Sequence, residues 1–409
     1  MAILRPFAAL RPPRDKAAGV CAVPYDVVSA DEAKALAAGN PLSFLHVSRP
    51  EIDLPQGTDP FSEAVYLKAA ENFQRLRRAA PLTLEETPSL YVYRLRRGDH
   101  VQAGVAGCCS VDEYDAGVIR KHERTRQDKE DDRTRHMLAL RSQTGPVFMT
   151  YRDRPAIDEV VRGAMRGEPL YDVKAPDGVE HALWRMDPGP VRRLTELFAE
   201  VPSLYIADGH HRAASASRAR ARLREQGEKG GEADHVLSVV FPAGQLRILP
   251  YNRVVKDLHG MTPRELLSRL SSRFTVTEGA DPSPARRGTV SLYLDGAWHG
   301  VDLGPAAGRG AAAGDTSGLD VSVLQEEVLS GMLGIRDVRT DKRIDFVGGS
   351  RGTAELRRLV DSGRAAAAFS MHPVSLDDLM AVSDAGGVMP PKSTWFDPKL
   401  RDGFLCHMI

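Results

Sequence analysis

The chain has 409 residues, and its 55 Lys and Arg balance its 55 Asp and Glu, so the formal net charge is zero. That balance excludes a protein-wide basic field for nucleic acid or for an anionic membrane and leaves only local charged pockets. The length predicts two or three domains, and no apolar run approaches membrane-spanning length.

The start, Met1-Ala2-Ile3-Leu4-Arg5-Pro6, lacks the apolar stretch of a secretory signal, so the reading is a soluble cytoplasmic protein. A short strand is expected at 20–23, and Ser29 with Asp31 offers a cap for a helix reaching Ala38, ended by Gly39-Asn40-Pro41. Residues 42–47 read as a strand and residues 59–79 as a helix, with Phe61, Ala64, Val65, Leu67, Ala70, Phe73 and Leu76 at helical spacing. Residues 89–94 and 101–111 read as a hairpin turning at Arg97-Gly98-Asp99. Cys108 and Cys109 fall inside its second strand and read as buried; the four cysteines show no C-x-x-C spacing.

A dense stretch follows, Lys121-His122-Glu123-Arg124-Thr125, just after the apolar Val118-Ile119. It stands where a strand end meets a loop, a favoured place for catalytic groups. Glu123 is the candidate general base, because proton abstraction needs a positioned carboxylate. The charged run 128–135 reads as a solvated helix. Strands at 147–151 and 180–187 and helices at 155–166 and 190–200 lead to the second dense stretch.

That stretch is Ser203-Leu204-Tyr205-Ile206-Ala207-Asp208-Gly209-His210-His211-Arg212. It reads as a buried strand, a Gly turn and then a helix through residues 213–226. A helix entered through such a turn starts with unserved N–H groups and favours anions. Two chemistries fit the residues. One is phosphate handling, with the His and Arg side chains adding donors. The other is metal binding by Asp208 and His210, completed by His122 or Glu123.

Beyond it, strands at 236–241, 274–277, 290–294, 344–347 and 365–371 alternate with helices at 320–333, 355–362 and 375–384. Thr262-Pro263-Arg264-Glu265 opens a further helix. The tail Pro390-Pro391-Lys392-Ser393-Thr394-Trp395-Phe396 presents a cation and two hydroxyls, or else is an arm docked by its aromatics.

Taken together, and in this order, these stretches resemble the family designated domain of unknown function 1015. The resemblance spans essentially the whole chain. It adds Arg5-Pro6-Phe7-Ala8-Ala9-Leu10-Arg11-Pro12, Val23-Pro24-Tyr25-Asp26-Val27-Val28 and Asn40-Pro41-Leu42-Ser43-Phe44-Leu45-His46-Val47 to the motifs above. Through it the chain looks related to ParB/sulfiredoxin-like proteins and to free serine kinases, which have an Asp-Gly-His-His arrangement like Asp208 to His211.

The resemblance implies an α+β fold: a ParB/sulfiredoxin-like nucleotide-binding core over 115–256, an N-terminal α/β region over 1–114 and a C-terminal α/β region over 257–409 that ends in the 391–399 segment. It implies a kinase that phosphorylates free L-serine or a related hydroxylated metabolite, with ATP or ADP as donor and Mg²⁺ as cofactor. Glu123, Asp208 and His211 would be catalytic, and Gly209, His210, His211 and Arg212 would hold the nucleotide phosphates. His122, Thr125, Lys392, Ser393 and Thr394 would contact substrate or phosphate, and Asp208 would meet the metal. The alternatives are a ParB-type nucleotide switch without transfer and a metal-dependent hydrolase using His122, Glu123, Asp208 and His210.

Overall fold

A computed structural model describes residues 2–228, 230–311 and 314–409. The chain divides into two compact units, one running up to Leu246 and joined by Pro398–Ile409, the other Arg247–Asp397. Both mix helices and sheets, as the expected α+β class requires.

The first unit is organised on one mixed sheet of nine strands: β1 (Leu4–Arg5), β2 (Tyr91–Arg97), β3 (His100–Ser110), β4 (Ile119–Arg120), β5 (Val147–Tyr151), β6 (Tyr171–Lys174), β7 (Glu180–Arg185), β8 (Leu204–Asp208) and β9 (His235–Pro242). Their order across the sheet is β4-β8-β5-β9-β3-β2-β7-β6, with β1 paired to the far half of β3. Strands from both sides of residue 114 therefore share one sheet. β2 and β3 form the expected hairpin, turned at Gly98. Both cysteines of β3 are fully buried, and burial raises their thiols, Cys109 to about 12.

Three helices matter for the site: α1 (Glu63–Ala79), α2 (Gln127–Leu140) and α3 (His210–Glu225). α2 lies along α3. The Ser215 hydroxyl donates to the Glu130 carbonyl at 3.0 Å, and Arg218 bonds the Glu130 carboxylate at 3.0 Å and also reaches Asp131. Arg135 of α2 ties to Glu63 of α1 at 2.7 Å. Under the sheet, Met149, Ile206, Phe198, Leu204 and Val240 join one apolar core. Each such side chain contributes about 1.5–3 kcal/mol by leaving water.

The second unit is built on a six-stranded antiparallel sheet in the order Thr275–Glu278, Ala297–Asp302, Thr289–Leu294, Ala367–Met371, Tyr251–Val255 and Ile344–Gly348. Its helix Pro263–Arg273 opens with the expected Thr262 cap, closed into a capping box by Glu265. Beside the sheet, Ile248–Leu249 pairs with Trp395–Phe396.

Some local expectations fail. Residues 42–47 do not form a strand; Leu45–Ser48 is a helical turn. The Asn40 and Ser43 side chains take the N–H groups of Leu42 and Leu45, turn chemistry that competes with extended backbone. Residues 20–23 likewise give the helical turn Ala17–Val20 and a single bridge from Ala22 to Asp402. The helix expected from Asp320 is α-helical only to Val323, then widens into a π-helical stretch over Leu324–Ser330.

Candidate functional site

β8 delivers the second dense stretch. Leu204 to Ala207 are buried, so the strand is fixed on both faces. It runs parallel to β4 and antiparallel to β5, and its register against β5 shifts between Ile206 and Asp208. That bulge turns the strand end out of the sheet. The chain then reverses through Gly209 at φ 96° and enters α3 at once, three residues earlier than the composition alone indicates. A Cβ on Gly209 would stand 2.9 Å from Arg212 Nε, so both the backbone angle and the space require glycine. The first N–H groups of α3 have no acceptors within the helix and form its positive end.

Because β4 is the neighbour of β8, the loop 121–126 leaves the sheet beside this turn, and the two stretches far apart in sequence meet. The His122 main-chain N–H donates to His210 Nε2 at 3.4 Å, and the Arg126 N–H donates to His211 Nε2 at 3.1 Å. A ring nitrogen that accepts carries a lone pair, so both rings hold their proton on Nδ1 when neutral. Nδ1 of His210 faces a Glu123 carboxylate oxygen at 3.6 Å. The His122 and His210 rings pack edge to face, with centroids 4.4 Å apart. Burial pushes His122 down to about 4 and holds His210 well below the ordinary histidine range, with His122 adding to the effect. The Glu123 side chain, by contrast, is 43% exposed. The Thr125 hydroxyl donates to the Glu130 carboxylate and fixes the loop to α2.

Below the turn lies a charged network. The Asp208 carboxylate accepts from Lys399 Nζ at 2.8 Å and stands 3.8 Å from Arg212 Nη2. Burial alone would raise Asp208, but Lys399 and Arg212 outweigh it and hold the carboxyl well below its usual range. Arg212 is 5% exposed, donates to the Pro146 carbonyl at 2.5 Å and reaches Asp26 at 3.8 Å, while its Nε has no hydrogen-bond partner among the described residues. Burial lifts Asp402 to about 7 despite Arg212. Arg212 therefore turns back under its own helix start.

This arrangement bears on the metal. Asp208 already serves two cations, so a divalent ion there would meet like charge, and the residue does not fit a Mg²⁺ ligand. Among the described residues no group of three or more His, Cys, Asp or Glu is arranged to hold a metal ion, so His122, Glu123, Asp208 and His210 do not assemble a hydrolase centre.

Lys392, Ser393 and Thr394 belong to the second unit. There Lys392 Nζ lies 5.3 Å from the Tyr251 ring centre, and the buried Ser393 hydroxyl donates to the Pro390 carbonyl at 2.5 Å. Asp26, Lys399 and Asp402 were not singled out from the sequence as site residues. Lys399 sits in the tail already noted for its cation and prolines, and Asp26 in the Pro24-Tyr25-Asp26 segment, but neither position carries a local signal for its partner.

The model of the family described as Protein of unknown function (DUF1015) matches residues 4–322. No curated protein matches the chain. Among solved structures, the chain is similar to a free serine kinase in complex with AMP, at 14% identity and TM-score 0.35, covering 71% of this chain and 86% of that one. It is similar to a C-terminally truncated SbnI from Staphylococcus aureus, at 14% identity and TM-score 0.37, covering 74% and 87%. A conserved hypothetical protein from Pyrococcus furiosus aligns at 15% identity and TM-score 0.35, covering 74% and 95%.

Proposed function

The chain belongs to the DUF1015 family, and we propose that it is a small-molecule kinase acting on the hydroxyl of free L-serine or a related metabolite, with ATP or ADP as donor. The reading rests on the site and not on the structural likenesses. The observation that carries it is the exposed Glu123 carboxylate facing the neutral His210 ring at the N-terminus of α3, with 3.6 Å between Oε2 and Nδ1.

That juxtaposition supplies the two things a phosphoryl transfer asks of a protein. The positive helix start, set by the left-handed turn at Gly209, holds and orients the donor. The carboxylate accepts the hydroxyl proton of the acceptor. Positioning and charge neutralisation do most of the rest. His211 sits at the phosphate end, and Arg212 holds the turn from beneath. The strand, Gly turn and helix suit a ParB/sulfiredoxin-like core. No step is assigned to Mg²⁺, because Asp208 is committed to Lys399.

A nucleotide switch without transfer is the competing reading. The tie from the Arg126 N–H to His211 favours it, since a ligand at α3 would reset the loop. The test is to incubate the protein with Mg²⁺, ATP or ADP, and each amino acid in turn. A phosphorylated product with serine or a hydroxylated relative is expected; none with any of them contradicts transfer.

A further inference from the structure

Arg253 lies in the middle of the second unit's sheet, in the strand Tyr251–Val255, paired on both sides. Its side chain turns toward the 391–394 turn and the residue is only 4% exposed. Three main-chain carbonyls receive it: Tyr251, Pro391 at 3.4 Å and Lys392 at 3.1 Å. A guanidinium has five N–H groups, so these three bonds do not use it up.

Its charge is not matched. Among the described residues no Asp or Glu forms an ion pair with Arg253, whereas the nearby Arg247 is paired to Asp397 at 2.6 Å. The neighbouring side chain on the turn is another cation, Lys392, and the ring it overlies, Tyr251, carries no formal charge. Burial pushes the Arg253 guanidinium down to about 10, against an opposing pull from Tyr251. A buried charge without a counter-charge is expensive, and carbonyl dipoles offset only part of that cost.

The turn itself is held in an unusual shape. Lys392 has φ 56°, a left-handed conformation that is strained for a residue with a Cβ. Pro390 and Pro391 precede it, and Ser393 bonds back to Pro390. Strain of this kind persists where surrounding structure over-determines it and is enriched at ligand clamps.

We propose that Arg253 and the 391–394 turn form an oxyanion site of the second unit, whose ligand is a phosphate group. A phosphate, with a charge of about −1.5 to −2 near neutral pH, offers several oxygens to the remaining guanidinium N–H groups and answers the buried charge of Arg253 more fully than a monoanion does. The inference does not depend on phosphoryl transfer and stands if the protein transfers nothing.

The test uses the full chain and inorganic phosphate as the probe. Hydrogen–deuterium exchange is followed with and without phosphate, and affinity is measured by calorimetry for the wild type, Arg253→Met, Lys392→Gln and His211→Ala. Phosphate is expected to slow exchange over residues 391–396. Arg253→Met should remove that protection and weaken binding about tenfold or more, and His211→Ala should leave it intact. Lys392 is exposed, so Lys392→Gln should fold normally and weaken binding by about three- to tenfold, which keeps the test valid if Arg253→Met folds poorly. ADP should protect the same segment if the phosphate belongs to a nucleotide; protection by inorganic phosphate alone assigns the free ion. No protection of 391–396 in the wild type, protection unchanged in both variants, or equal binding of acetate would overturn the proposal.

Discussion

The main-chain N–H of His122 points at Nε2 of His210 across 3.4 Å, and Nδ1 of the same ring faces Glu123 at 3.6 Å. One hydrogen bond thus selects the tautomer that presents an N–H to the carboxylate. Asparagine can place an amide N–H near the Nδ1 position, whereas glutamine reaches toward Nε2. His210→Asn should therefore keep most turnover, and His210→Gln should lose about 10²-fold in kcat. Equal losses in the two variants would assign His210 to packing alone.

The buried histidines set a pH dependence of stability. His122 and His136 are both lowered from 6.5 to about 4, each chiefly by burial. In the unfolded chain they take up protons near pH 6.5, and in the folded chain only near 4. The unfolded state then binds more protons between those values, so stability is complete above about pH 6.5 and falls as pH drops toward 4. The loss is on the order of 2 kcal/mol per residue by pH 5. Urea midpoints at pH 7.5 and pH 5 measure it, and His122→Phe should flatten part of the slope. Equal midpoints would contradict the account.

Lys399 and Asp208 test whether the final segment of the first unit completes the turn. Lys399→Met leaves a largely buried carboxylate facing Arg212 alone, at 3.8 Å. The expected loss is about 2–4 kcal/mol. Asp208→Asn in the same background should recover part of it, so a double-mutant cycle should show coupling above about 1 kcal/mol. Additive thermal shifts would mean the ion pair is incidental.

Gly209→Ala meets both a positive φ and the Arg212 guanidinium 2.9 Å from the new carbon. The expected cost is about 1–3 kcal/mol, with a larger proportional loss of ADP affinity, since the turn that presents the first N–H groups of α3 to a phosphate would shift. Thermal melts with and without ADP separate the two effects. A variant as stable and as responsive to ADP as the wild type would refute the role given to this turn.

What was legible in the sequence was local. Leu204 to Ile206 followed by Asp208-Gly209 specify a strand and a turn through burial pattern and a required glycine, and Ser29 and Thr262 specify helix starts through capping chemistry. The failures at 42–47 and 20–23 have one cause. Short apolar runs fit a strand or a buried helical turn equally well, and side chains elsewhere decide, here Asn40, Ser43 and the Asn72 amide that bonds the His46 carbonyl. The meeting of Glu123 with His210 depends on β4 lying next to β8, a pairing across some 85 residues that no local pattern encodes. The same holds for Lys399 on Asp208, 191 residues apart, and for Arg253 under the 391–392 carbonyls.

Glu123→Gln is the most direct test of the central claim, that this turn is a site of phosphoryl transfer. The substitution keeps the size of the side chain and removes its basicity. ADP or ATP binding by calorimetry and formation of phosphoserine by ³¹P NMR should be followed on the same preparations. The expected result is nucleotide affinity within about twofold of the wild type and turnover lowered by about 10²-fold or more. Phosphoserine formed at the wild-type rate by Glu123→Gln, or nucleotide binding without any product in the wild type, would contradict it.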